Sequence, residues 1–183
     1  SLDELHSLFA GFLARARVAI VNADDPLSAR FAGDNVVRFG FDASADVRAA
    51  DLVLDGSGAH FTVQCGGHSV PVALRQVGRH NVMNALAAIA AVTHLGVPLA
   101  DAAAALGSFA GLARRYELVG SAGGISVIDD FAHNPDKMAA TLAAAGASPG
   151  RLLLFFQPHG YGPLRQMGKE LATAFANGMR DGD

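Results

Sequence analysis

Apolar residues recur along the chain at two spacings, and the change between them predicts the elements. The spacing is helical over residues 1–15, where leucine and phenylalanine return every three or four positions. Short β-rich runs predict strands at 18–22 and 36–41, with a short helix at 27–32 between them. Residues 51–75 hold short strand patterns separated by "GSG" and "GG", which are typical of hairpins. We therefore expect a sheet in the first part of the chain.

The rest of the chain alternates between helical and strand patterns. These patterns predict helices at 82–95, 99–109, 135–145 and 163–178, and strands at 124–130 and 151–156. Beyond residue 112, where we place a domain boundary, the order is β-α-β-α, the start of a doubly wound α/β unit. Few independent sheets stop at two strands, and the chain opens within a helix. We expect it to be a fragment of a longer protein.

Composition narrows the classes of function. The chain has 183 residues, of which 51% are hydrophobic and 17% charged, with a net charge of −3. This balance favours a packed α/β protein in the cytoplasm and gives no basic stripe for nucleic acid. No apolar run reaches about 18 residues, so no membrane span is predicted. The single cysteine, Cys65, excludes an internal disulfide and a cysteine zinc cluster, and is expected to be buried.

The stretch "GRHNVMNA" introduces the first candidate binding residues. His80 and Asn81 stand where the long helix is predicted to begin, and Asn84 shares a helix face with Asn81. Two side-chain amides on one face offer the donors and acceptors that a purine edge requires. The structural alternative is that Asn81 caps the helix while Asn84 is solvated.

Two adjacent arginines, Arg114 and Arg115, follow the proposed boundary. The planar guanidinium group of arginine suits paired phosphate oxygens. An arginine pair can equally be a solvated part of the surface, where ion pairs contribute little to stability. The residues alone leave both interpretations open.

The stretch "IDDFAHNP" follows a predicted strand. Ligands in open α/β sheets bind beyond the carboxyl ends of strands, which is where Asp129 and Asp130 stand. A carboxylate there can accept hydrogen bonds from a ribose or hold Mg²⁺, and His133 can bind a carboxylate or a metal. Asn134 can instead cap a helix that starts at Pro135. The alternative is a purely structural turn.

The stretch "FFQPHGYG" ends the next predicted strand. Its polar side chains, Gln157, His159 and Tyr161, are expected beside the aspartates. Polar groups at two neighbouring strand ends indicate a site more strongly than either group alone. The other histidines have no partner at metal-ligand spacing, so no metal site is assigned to His6, His60, His68 or His94.

Together, "GRHNVMNALAAIA", "RRYE", "IDDFAHNP" and "FFQPH" occur in an order that resembles the Mur ligase family, above all its alanine-adding and peptide-recycling branches. These are ATP-dependent enzymes that form amide bonds in peptidoglycan assembly. The resemblance implies an α/β fold in which residues 1–112 are half of a mixed-sheet ATPase domain. Residues 113–183 would then be half of a Rossmann-like C-terminal domain. It also implies ATP and Mg²⁺, a UDP-N-acetylmuramate-type nucleotide sugar, and an amino acid or peptide.

The resemblance further implies roles for individual residues. The adenine would be surrounded by His80, Asn81 and Asn84. Arg115, with Arg114, would reach a phosphate, and Asp130 would hold the ribose. The incoming substrates would lie near His133, Asn134 and His159, with Arg115 and His133 acting in the chemistry.

The chain also departs from the family pattern. The phosphate-binding Gly-Lys-Thr sequence is absent, and we expect it upstream in a longer parent. Gly160 and Pro163 replace the arginines that usually follow "FQPH", which leaves the amino acid open. Two alternatives remain: a non-catalytic nucleotide-binding or partner module of the same fold, and a ligase resembling folylpolyglutamate or cyanophycin synthetases.

Overall fold

The computed structural model describes residues 1–55 and 57–183, in two compact units. The first unit comprises Ser1–Val53, His60–Leu74 and Asn81–Phe109, and the second comprises Leu54–Ala59, Arg75–His80 and Ala110–Asp183. Each unit consists of three separate segments of the chain, so the single boundary expected near residue 112 stays a prediction. None of the helices in the described part of the chain is both long and apolar enough to cross a membrane.

A five-stranded sheet runs through the first half of the chain, and its strands confirm the sequence pattern. The strands lie side by side in chain order: β1 (Ala19–Asn22), β2 (Val36–Gly40), β3 (Val47–Asp55), β4 (Gly58–Cys65) and β5 (His68–Leu74). The pairs β1–β2 and β2–β3 are parallel. Gly66 and Gly67 join β4 to β5 with φ angles of +56° and +78°, the backbone of a tight hairpin turn. A two-residue connection makes that pair antiparallel, so the sheet is mixed.

The helices of the first half also follow the prediction, apart from one start point. They are α1 (Leu2–Leu13), α2 (Arg79–His94) and α3 (Leu99–Ser108), with a short 3₁₀ turn at Ser28–Arg30. Val82, Leu86 and Ile89 share one face of α2 and are buried, as the helical spacing requires. Because α2 begins at Arg79, Asn81 lies inside the first turn. The interpretation of Asn81 as the helix cap is therefore wrong.

The second unit contains a hairpin and two helices. Strands β6 (Glu117–Ala122) and β7 (Ile125–Asp129) are antiparallel, and α4 (Pro135–Gly146) and α5 (Tyr161–Gly178) follow. Strand β7 and both helices confirm the sequence pattern. Strand β6 was not predicted, because "ELVGSA" mixes small and polar residues and has no clear alternation.

The prediction of a strand at 151–156 is wrong, because these residues form no strand in the structure. Leu152 and Phe156 pack against the helices, whereas Leu153 and Phe155 are 73% and 90% exposed. The side chains thus alternate as they do in a strand. No described residue forms a ladder with this segment. A strand is defined by the backbone hydrogen bonds of a neighbour, which apolar alternation alone cannot supply.

Helices α4 and α5 build the core of the second unit around Leu142. This side chain is 1% exposed and packs with Met138, Leu171 and Ala174. Gly178, the last residue of α5, lies directly against it: a β-carbon added there would meet Leu142 Cβ at 2.8 Å. The absence of a side chain at Gly178 is therefore what lets α5 end against α4.

We expect Gly178→Ala to destabilise the chain by about 1–3 kcal/mol, because the new methyl group displaces a fully buried leucine. Gly168→Ala is the matched control, since it lies in the same helix and its added carbon would come no closer than 3.9 Å to Leu164. That control should gain up to about 1 kcal/mol from helix propensity. Urea unfolding followed by circular dichroism measures both. Equal effects of the two substitutions would contradict the packing argument.

The carboxylate of Asp183 fastens residues 150–152 to the end of α5. It accepts hydrogen bonds from the backbone N–H of Leu152 at 2.8 Å and of Arg180 at 2.9 Å, and it pairs with the Arg180 guanidinium at 3.2 Å. That guanidinium also donates to the carbonyl of Gly150 at 2.8 Å. The hydrogen bond from Leu152, followed by those from Arg180, lowers the pKa of Asp183 to about 2.

A carboxyl group with a lowered pKa stabilises the fold above its unfolded pKa of about 3.8 and loses that contribution as the pH falls toward 2. We therefore expect Asp183→Asn to lower the melting temperature at pH 6, with the difference from the wild type shrinking toward pH 2. Thermal scans across this range measure it. A difference that stays constant with pH would contradict the role of the charge.

Candidate functional site

Asp130 connects three segments of the second unit. Its Oδ2 accepts a hydrogen bond from the backbone N–H of Tyr116 at 2.8 Å. Its Oδ1 accepts bonds from the N–H of Ala132 at 2.8 Å and from the hydroxyl of Thr141 at 3.0 Å. A carboxylate has about four acceptor positions, so these bonds leave room for about one further donor. Much of the hydrogen-bonding capacity of Asp130 thus serves the fold, and about one position remains for a ligand.

The turn that carries the two arginines has an uncommon backbone. Arg114 and Tyr116 have φ angles of 59° and 53°, a left-handed conformation that non-glycine residues seldom adopt. Arg114 N–H donates to Glu117 Oε2 at 2.7 Å, and its carbonyl accepts from Phe131 N–H at 2.9 Å. Together with the bond from Tyr116 to Asp130, these contacts hold the turn against the loop after β7. Such strain persists only where the surroundings determine the conformation.

Four basic side chains surround the ring of Phe131. The guanidinium carbons of Arg114 and Arg115 lie 4.9 and 5.6 Å from the ring centre. The rings of His133 and His159 lie 5.1 and 5.8 Å from it, and 6.1 Å from each other. These distances place the His159 ring beside the loop after β7, whereas the expectation that Gln157, His159 and Tyr161 lie beside the aspartates stays a prediction. We call these five residues the Phe131 cluster.

The charges of the Phe131 cluster are incompletely neutralised. Arg114 Nε contacts Asp129 Oδ2 at 3.3 Å, a long contact between two exposed side chains. In the described part of the chain, Arg115 has no carboxylate within salt-bridge distance. His133 Nδ1 bonds the carbonyl of Phe131 at 2.9 Å, which fixes the orientation of its ring. The arrangement can therefore attract an anionic group such as a phosphate or a carboxylate.

Two loop residues beside the cluster start helices. Asn134 Oδ1 accepts the N–H of Lys137 at 2.9 Å, and Pro135 occupies the first turn of α4. The predicted capping role of Asn134 is confirmed, and this bond uses the side-chain oxygen rather than the amide N–H groups. Gly160 is the N-cap of α5 and has a φ of +95°, a backbone conformation that favours glycine. Tyr161 is 91% exposed.

His80 belongs to the second unit and is half-buried. Burial lowers the pKa of its imidazole, and the nearby Asp130 carboxylate opposes this shift. The ring is therefore neutral at pH 7 and can donate one hydrogen bond and accept another. Gly78 has a φ of +98°, and a β-carbon there would lie 2.8 Å from the His80 ring. Only glycine fits beside this histidine.

Asn81 and Asn84 lie on α2 in the first unit. Asn84 Nδ2 approaches Asn81 Oδ1 at 3.4 Å, a weak contact that confirms their shared face. Asn84 is exposed, and its side chain is within reach of a ligand. The predicted adenine role of these asparagines stays a prediction, as does the ribose role of Asp130.

The described residues contain no group of three or more His, Cys, Asp or Glu side chains that could hold a metal ion. Mg²⁺ keeps several of its waters and is usually held by only one or two carboxylates together with substrate phosphates, so its binding stays a prediction. Cys65 is half-buried rather than fully buried, and desolvation raises the pKa of its thiol.

Sequence reasoning missed three contributors to this site. Phe131 was not given a role, although its position inside a polar motif was a signal. Thr141 stands in an alanine-rich helix, where nothing distinguishes it. The N–H of Tyr116 is a backbone donor, which side-chain patterns cannot reveal.

Family profiles match both parts of the chain. The Mur ligase middle domain matches residues 3–92, and the glutamate ligase domain of Mur ligases matches residues 114–179. The mixed sheet of the first unit, and the hairpin and helices of the second, define an α/β fold. The chain belongs to the Mur ligase family.

Individual relatives agree with the family. The UDP-N-acetylmuramate–L-alanine ligase of Acidithiobacillus ferrooxidans is 39% identical over 96% of this chain, which spans 41% of that protein. The structure of UDP-N-acetylmuramate-alanine ligase MurC from Thermotoga maritima is 29% identical, with a TM-score of 0.78 over 96% of this chain and 39% of that one. MurF from Acinetobacter baumannii is 32% identical, with a TM-score of 0.66 over 73% of this chain and 30% of that one. The chain thus spans about two fifths of the curated relatives it matches.

We expect Asp130→Asn to lower the stability of the chain by about 1–3 kcal/mol, because an amide cannot accept from all three donors and places N–H groups opposite N–H groups. Asp129→Asn is the matched control: its carboxylate makes one long, exposed contact, so the loss should stay under about 1 kcal/mol. Urea unfolding measures both. A smaller loss at Asp130 than at Asp129 would contradict the connecting role.

Proposed function

We propose that this chain is part of an ATP-dependent ligase that joins an amino acid or peptide to a UDP-N-acetylmuramate-type nucleotide sugar. The observation that carries the proposal is the gathering of four basic side chains around the Phe131 ring: Arg114, Arg115, His133 and His159. Among the described residues, Arg115 forms no ion pair with a carboxylate. Two anionic substrates, a triphosphate and a carboxylate, need such a concentration of donors. The relatives named above support the substrate class. We assign the work of this ligase to the cytoplasm.

Each unit, taken by itself, contains residues whose chemistry suits part of a nucleoside. Asn81 and Asn84 present amides to the adenine, and neutral His80 adds one donor and one acceptor. Asp130 keeps about one acceptor position for a ribose hydroxyl. Support for the ATP requirement comes from the resemblance of these motifs to the family.

The reaction would proceed through an acyl phosphate. An oxygen of the substrate carboxylate attacks the γ-phosphorus of ATP, and the bond to ADP breaks. The amine of the amino acid then attacks the acyl carbon, the amide bond forms, and inorganic phosphate leaves with loss of a proton from the amine. Arg115, with Arg114, would stabilise the negative charge on the transferred phosphoryl group. His133, with the amide of Asn134 and with His159, would orient the incoming substrate.

We expect Asn84→Ala, made in the ligase that contains this chain, to raise the KM for ATP about three- to tenfold, because hydrogen bonds to the purine are lost. Asn84 is exposed and makes only a weak contact, so the melting temperature should not change. Steady-state kinetics with UDP-N-acetylmuramate and an amino acid measure the effect.

Asn177→Ala is the matched control, since it is an exposed helical asparagine on α5 and should leave the KM for ATP unchanged. An unchanged KM in Asn84→Ala would contradict the adenine role. Absence of ATP turnover in the wild-type ligase would contradict the proposed function itself.

A further inference from the structure

Phe131 has no place in the proposed chemistry, yet it touches every basic residue of its cluster. Its ring lies within 6 Å of the two guanidinium carbons and the two imidazole rings. Its backbone N–H donates to the carbonyl of Arg114, and its carbonyl bonds His133 Nδ1, both at 2.9 Å. One residue thus contacts side chains from three separate segments of the unit.

The ring matters most for Arg115. An arginine side chain has many rotamers and loses about 2 kcal/mol of rotational freedom when it is fixed. Among the described residues no carboxylate fixes Arg115 by an ion pair, and the recorded partner of its guanidinium is the Phe131 ring at 5.6 Å. A guanidinium within about 6 Å of an aromatic ring is attracted by the negative face of the ring. This contact directs Arg115 without neutralising its charge.

A carboxylate in place of the ring would hold the arginines more firmly but would cancel the charge that binds an anion. The aromatic ring avoids this, because its quadrupole attracts cations while its net charge is zero. Arg114 shows the contrast: it shares the ring at 4.9 Å but also contacts Asp129. Arg115 is accordingly the more available of the two guanidiniums.

We propose that Phe131 is a positioning residue, which orders Arg115 and the two histidines, His133 and His159, through its ring and keeps their capacity to bind anions. The inference deepens the proposed function and rests on it for the kinetic test only. Phe131 itself contacts no reacting atom. Its effect on the reaction passes through the basic side chains that it orders.

The test compares Phe131→Leu, which removes the π face and keeps an apolar side chain, with Phe131→Tyr, which keeps the ring. In the 183-residue chain, ¹⁵N relaxation of the arginine Nε–H groups reports the order of each guanidinium. We expect the order parameter of Arg115 to fall into the flexible range, below about 0.6, in Phe131→Leu and to stay at its wild-type value in Phe131→Tyr. An Arg115 order parameter that is equal in the wild type and in Phe131→Leu would overturn the proposal.

In the ligase that contains this chain, Phe131→Leu should lower kcat/KM about three- to tenfold, and Phe131→Tyr should restore it to within about twofold of the wild type. Phe156→Leu is the control for packing, because Phe156 packs against the α4–α5 core and meets the Phe175 ring edge to face, with ring centres 5.3 Å apart. It should lower the melting temperature without changing Arg115 order or kcat/KM. Wild-type kinetics in Phe131→Leu overturn the proposal, whereas an inactive wild type overturns the proposed function and leaves the relaxation test decisive.

Discussion

The carboxylate of Asp130 is the constraint on which the second unit depends. By accepting from Tyr116, Ala132 and Thr141, it ties the arginine-bearing turn, the loop after β7 and helix α4 to one side chain. Each left-handed residue of the turn costs about 1–3 kcal/mol on its own. The turn therefore keeps this conformation only because such hydrogen bonds hold it. The positions of the basic side chains therefore depend on the carboxylate of Asp130. The site is built by hydrogen bonds to the backbone before any ligand is considered.

Basic side chains are concentrated near Asp130, and only some of their charges are paired with a carboxylate. The guanidinium of Arg114 contacts the carboxylate of Asp129, and its backbone N–H donates to Glu117. The guanidinium of Arg115 lies instead over the ring of Phe131. An anion that entered the cluster would replace water around Arg115 without first breaking an ion pair. Such preorganisation lowers the reorganisation that binding requires. The same ring serves both histidines, so the arrangement is compact despite the chain distance between His133 and His159.

The sequence predicted most elements, because hydrophobic periodicity is a local property. The helical spacing of Val82, Leu86 and Ile89, for example, directly reflects one buried face. Prediction from the sequence failed where a strand depends on pairing with a neighbouring strand. Residues 151–156 alternate as a strand does but pair with no other described residues in a ladder. Strand β6 forms through its pairing with β7 despite a weak sequence pattern of its own. The site residues could be proposed from motif order, whereas the contacts of Phe131, Thr141 and the Tyr116 N–H required coordinates.

The uncharged run of residues 152–157 has a consequence for handling the chain. Leu153 and Phe155 present an apolar face, and uncharged runs of about six such residues with open backbone groups act as templates for strand addition and aggregation. Arg151 and Pro158 flank the run, and a charge and a proline are the residue types that interrupt the growth of such assemblies. We therefore expect association at high concentration to depend on this short run and its two gatekeepers as well as on the folding stability of the units.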